Sequence, residues 1–355
     1  MESSQSQITR LEQRLGADWN FIREARVRTQ KKRDELRSVL AGFDSEDTSI
    51  VVFGSLARDE FTEGSDIDWT LLIDGSADPK HLELIPQITE VISKASAKDP
   101  GREGTFGNMA FSHELIHLIG GEDDTNRNTT RRILLLLESD VVGRPEAYDR
   151  VVKNVLQRYL NEDRGFLRGT AQHHVPRFLL NDLARYWRTM AVDFAYKQRT
   201  RFGRGGAIRN IKLRMSRKLI YVSGLLTCFS CQLGFGEVLG PINCHRTNGS
   251  LECIECLRRF LRRTPLEILA SAFLHFEHLD ETARMVVDAY NAFLGILSDQ
   301  SLREHLENLP PDPDQSDETF QKARKLSHVF RDGLLELFFD EKTELCQLTK
   351  TYGVF

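Results

Sequence analysis

No run of apolar residues in this chain is long enough to span a bilayer, which excludes a helical membrane anchor within it. An excess of basic charge is missing too. Against 48 Lys and Arg stand 52 Asp and Glu, a net charge of −4, so a general nucleic-acid binder is excluded while a local basic patch is not. The first residues, Met-Glu-Ser-Ser-Gln-Ser, lack the basic and apolar regions of a secretory signal, and a cytoplasmic location is the expectation. Cysteine is scarce, at six residues, and in a reducing compartment disulfides are not expected.

What is present is an ordinary globular composition, 40% hydrophobic and 28% charged over 355 residues, enough for two domains with separate cores. Apolar positions at helical spacing predict a long charged helix over 5–42. Strands are expected at Ile50–Phe53, Trp69–Ile73 and Ala110–Ile119, with a helix from Pro79 to Ala97 opened by Asp78. Beyond Asp140 the pattern reads as helices alone, over about 146–161, 176–198, 207–233, 250–261, 264–275, 279–298 and 318–348. The expected organisation is therefore α+β, a small mixed sheet with helices over residues 1–140 and an all-helical domain over 141–355.

Within the first half, Val51-Val52-Phe53-Gly54-Ser55 is followed by Gly64-Ser65-Asp66-Ile67-Asp68-Trp69. Alternate residues of an extended segment share a face, so Asp66 and Asp68 project together. Two like charges so close favour a hard divalent cation between them. Gly54 permits close backbone approach, and Ser55, at the start of a segment read as helical over Leu56 to Phe61, suits a phosphate. The plainer alternative is a turn rich in Gly, Ser and Asp inside an ordinary α/β domain.

The full combination resembles the DNA polymerase β-like nucleotidyltransferase superfamily, whose signature is Gly-Ser, a short helix and Asp-x-Asp. The resemblance implies a palm-like catalytic domain that moves a nucleoside monophosphate from a triphosphate to an acceptor and releases pyrophosphate. It implies Mg²⁺ or Mn²⁺ held by Asp66, Asp68 and a third carboxylate, for which Glu114 is the candidate ahead of Glu122, Asp123 and Asp124. Gly54, Ser55, Arg58 and Ser65 are the implied nucleotide contacts. After Glu114, the run Gly120-Gly121, Asp124-Thr125 and Leu134 to Glu138 resembles protein uridylyltransferases, which points to a protein side chain as acceptor. A second nucleotide, joined into a cyclic product, and an RNA 3′ end are the other acceptors. A non-catalytic nucleotide-binding regulatory module is the alternative of another class.

Two further features stand out. Cationic residues crowd 197–218, and Lys212, Arg217 and Lys218 are expected to face the palm and contact triphosphate or acceptor, with Asn210 and Ser216 as polar contacts. A solvated helix face is the plainer reading of that cluster. Cys228-x-x-Cys231 and Cys253-x-x-Cys256, with Cys244-His245 between them, have the spacing of a structural zinc site, but both pairs read as buried faces of amphipathic helices.

Overall fold

The computed structural model describes residues 5–95, 106–163, 174–200, 205–234, 250–310 and 317–353. The chain divides into two compact units, one of residues 24–168 with 248–264, the other of 1–23 with 169–247 and 265–355. The expected boundary after residue 140 falls inside the first.

That first unit carries a four-stranded mixed sheet in the order β3-β2-β1-β4. β1 (Thr48–Phe53) and β2 (Trp69–Ile73) are buried along their whole length, as uninterrupted apolar strands at a sheet centre must be. They pair antiparallel, with Val52 opposite Trp69. β3 (Asn108–Phe111) runs parallel to β2, and β4 (Ser139–Val141) antiparallel to β1. The side chains of Ile50, Val52, Trp69, Leu71 and Ile73 pack with Leu36 of α2 (Asn20–Val39), Leu40 just after it, and Ile88 and Ile92 of α4 (Lys80–Ala95). α3 (Gly54–Ala57) is a single turn after β1, shorter than the helix expected to reach Phe61.

Two expectations fail here. The run from Ala110 to Ile119 is not one strand: β3 ends at Phe111, and Ser112–Ile116 forms α5, a five-residue helix. β4 is a strand where none was expected, directly after α6 (Asn126–Leu137), which Thr125 caps by accepting from the Asn128 N–H at 3.2 Å. α7 (Glu146–Glu162) follows, and Arg258 and Arg262 beyond the long chain excursion pair with its Asp149.

The second unit is helical. The long helix expected over 5–42 is broken: α1 (Gln7–Leu15) stops at Gly16, in the left-handed conformation at φ 57°, whose N–H bonds to Gln13 and Glu12. Glu12 then accepts from the Trp19 N–H at 2.6 Å, and the Trp19 indole donates to Asp288 at 2.7 Å. Next come α8 (Arg177–Thr200) and α9 (Gly206–Lys212), the latter opened by Gly205 at φ 64°. Leu213–Arg217 is a π-helical turn that leads into α10 (Lys218–Leu233), so the helix expected over 207–233 carries a bulge. α11 (Ser250–Leu261) belongs to the sheet-bearing unit. α12 (Pro265–His275), α13 (Asp280–Ser298), α14 (Gln300–Asn308), α15 (Glu318–Phe339) and α16 (Glu344–Leu348) complete the chain. α14 was not expected, and the last predicted helix ends early, at Phe339.

Candidate active site

Asp66 and Asp68 lie in the extended approach to β2, where the Phe53 N–H donates to the Asp68 carbonyl at 2.9 Å and continues the ladder. Burial alternates along it: Ser65, Ile67 and Trp69 are buried, while Asp66 and Asp68 are half-buried between them. Both carboxylates thus occupy one face of the segment, as the spacing predicts. Asp66 makes no hydrogen bond or ion pair among the described residues.

Gly54 sits against this pair. Its φ is 70°, and a Cβ placed there would lie 3.1 Å from Asp68 Oδ2, so the residue is glycine for two independent reasons. Ser55 follows, half-buried, with no side-chain hydrogen bond among the described residues. Ser65 is committed to the turn before the aspartates, its Oγ accepting from the Thr62 N–H at 3.1 Å.

Arg58 is placed differently from a phosphate donor. It is 8% exposed, bonds Glu60 at 2.8 Å and pairs with Glu138, itself buried at the end of α6. Beside it, Arg33 of α2 donates to the carbonyls of Leu56 and Ala57 at 2.7 and 3.0 Å. The same guanidinium meets Asp59 at 2.8 Å and Asp140 at 3.1 Å. Asp59 needs that support, since its φ of 63° is strained for a residue with a side chain. Nothing in the sequence pattern singled out Arg33; only its depth and its two carbonyl bonds identify it.

Glu114 does not stand on a strand beside the pair. It lies on α5, 3.5 Å from Arg131, whose guanidinium is held below its usual value by burial and by Arg127, with Glu114 opposing. His113 and His117 flank it, their rings 5.0 Å apart, so residues 113–117 spell His-Glu-x-x-His on one short helix. No group of three or more His, Cys, Asp or Glu among the described residues is placed to hold a metal ion. Asp124, a rival third carboxylate, is consumed by a buried pair with Arg132 at 3.0 Å and by the Gly120 N–H at 2.9 Å. The two half-buried carboxylates still fit Mg²⁺, which binds through one or two carboxylates, water and substrate phosphates rather than an all-protein cage. Asp66 and Asp68 would hold it, and Ser55 would face the phosphates.

The remaining expected contacts belong to the helical unit. Lys212, Arg217 and Lys218 are half-buried around the π-helical turn. Asn210 accepts from Arg214 at 2.8 Å, and Ser216 is buried beneath the Tyr290 hydroxyl at 3.4 Å. Cys228, Cys231, Cys253 and Cys256 form no disulfide among the described residues and are buried on helices, and burial pushes the Cys228 thiol up. Cys244 and His245 lie outside the described residues.

Residues 33–99 match the family model of a nucleotidyltransferase domain. No curated protein and no solved structure matches the chain. The matched segment spans Gly54, Ser55, Asp66 and Asp68 and stops short of Glu114. The match is consistent with the polymerase β-like nucleotidyltransferase superfamily.

Proposed function

We propose that the sheet-bearing unit binds a magnesium–nucleoside triphosphate on Asp66 and Asp68 and transfers the nucleoside monophosphate to an acceptor hydroxyl. The observation that carries this reading is the meeting of Asp68 Oδ2 with Gly54 inside the family-matched segment. The acceptor oxygen bonds to the α-phosphorus, the bond from that phosphorus to the bridging oxygen breaks, and pyrophosphate leaves with the electron pair. The hydroxyl proton passes to a carboxylate of the pair. Bound Mg²⁺ or Mn²⁺ supplies charge neutralisation on the phosphates. The Ser55 hydroxyl donates to a phosphate oxygen, and the bare Cα of Gly54 leaves room for the chain to approach. Arg33 and the Arg58–Glu60–Glu138 cluster hold the turn between them in one conformation, so that little reorganisation is needed during transfer. A protein side chain is the acceptor to test first, on the uridylyltransferase-like pattern of residues 120–138.

Incubation with each labelled triphosphate and Mg²⁺, followed by separation of protein, cyclic nucleotide and RNA, tests this reading. Label should enter one pool and vanish from it in D66N/D68N. The engagement of Glu114 by Arg131 favours a second reading, a nucleotide-binding module without transfer. Triphosphate binding with no labelled product in any pool would select that one.

A further inference from the structure

The π-helical turn at Leu213–Arg217 and α15 pack against each other in the helical unit. Arg214 and Lys218, one turn apart, form a basic stripe on the first element. Arg324, His328 and Arg331, at the i, i+4 and i+7 positions of α15, form a second. The packing of the two elements sets the stripes within electrostatic reach of each other. Arg331, Arg214 and Arg324 all depress the His328 imidazole, and Arg331 and Arg214 depress the Lys218 ammonium, after burial in both cases.

In a chain with 52 acidic residues such a cluster would ordinarily be neutralised. Here it is not. Lys218, Arg324 and His328 make no side-chain hydrogen bond or ion pair among the described residues, and Arg214 bonds only the neutral amide oxygen of Asn210. Lys218 and His328 both feel Asp332, which is already bonded to Arg331 at 2.7 Å. Neighbouring cations that repel one another, half-buried here except for Arg331, store electrostatic cost that an anion would release. Irregular π-helical turns inside α-helices recur at functional sites, and this one aims Arg214 and Lys218 at the second stripe.

We propose that Arg214, Lys218, Arg324, His328 and Arg331 form a binding site for a phosphate chain of two to three phosphates. The extent of the patch favours this class of ligand. From Arg324 to Arg331 the axial rise is about 10 Å, whereas cations that track a single nucleic-acid strand extend over roughly four nucleotides or more. The chain is that of a nucleotide or of free inorganic polyphosphate, and the site does not depend on transfer at Asp66 and Asp68.

Isothermal titration of the full-length protein with inorganic tripolyphosphate, in EDTA, tests the proposal. The expected result is saturable 1:1 binding, weakened at least tenfold in R324Q/R331Q and restored by R324K/R331K. D66N/D68N should bind as the wild type does, so failure of the nucleotidyltransferase reading leaves this result untouched. The His328 ring should shift toward its protonated form on binding, read by NMR. Repeating the titration with ATP in the D66N/D68N background separates the sources: equal binding assigns a nucleotide, and binding of tripolyphosphate alone assigns the inorganic chain. No saturable binding, or equal binding by a folded R324Q/R331Q, overturns the proposal. So does preference for a single-stranded RNA oligonucleotide.

Discussion

Asp68 and Gly54 are fitted to each other: the aspartate Oδ2 occupies space 3.1 Å from where any larger residue at 54 would begin. One residue directly follows a buried strand and the other approaches the next, so the segment between them is folded back onto its own start. In Gly54→Ala the methyl group must displace the carboxylate, and φ of 70° strains the backbone besides. The strain costs about 1–3 kcal/mol. Transfer should fall more than the melting temperature suggests, and comparison of nucleotide binding with calorimetric stability checks it.

Arg33 joins two backbone carbonyls to two carboxylates with its side chain 11% exposed. Arg33→Met takes the guanidinium away from Asp140 and removes the closest cation from Asp59, whose contact with Arg26 is longer, at 3.9 Å. A loss of about 3 kcal/mol is expected from urea denaturation, with Arg33→Lys recovering part of it, because a lysine cannot fork to four partners.

Arg132 and Asp124 form the most deeply buried ion pair among the described residues, with side chains 0% and 1% exposed. The Tyr159 hydroxyl, 2.6 Å from Arg132 Nε, completes it. Arg132→Met should cost about 3–5 kcal/mol, since it strands a buried carboxylate. The double variant R132M/D124L should be more stable than R132M alone, a sign that chemical denaturation reads directly.

Burial raises the Tyr148 phenol to about 12, with its bond to Ser139 Oγ opposing. The folded protein therefore favours the protonated form. The stabilisation is fully present below the unfolded pKa near 10 and is lost as pH rises from there through about 12. Absorbance at 295 nm should show one tyrosine titrating late, and Tyr148→Phe should remove that late step.

The centre of the sheet was legible because β1 and β2 are plain apolar runs and because Asp66 and Asp68 keep strand alternation. Its edge was not. Ser139-Asp140-Val141 is three half-buried residues, too short to display a period, and Ser112–Ile116 is apolar enough to read as strand and long enough only for one helical turn. The helix break at Gly16 was available from its glycine. Arg58 shows the deeper limit: a basic residue inside the motif reads as a phosphate donor, and the partner that claims it is 80 residues away in sequence.

The sheet-bearing unit is completed by residues 248–264, although its strands end at Val141. During synthesis the nascent sheet must therefore wait for more than a hundred later residues before Arg258 and Arg262 can reach Asp149. A fragment cut after α7 would leave the ribosome with Asp149 lacking Arg258 and Arg262, and with the face of α7 on which α11 packs uncovered. Shortening this protein by sequence order is thus a recipe for aggregation, and any trimmed version has to carry the distant helix with it.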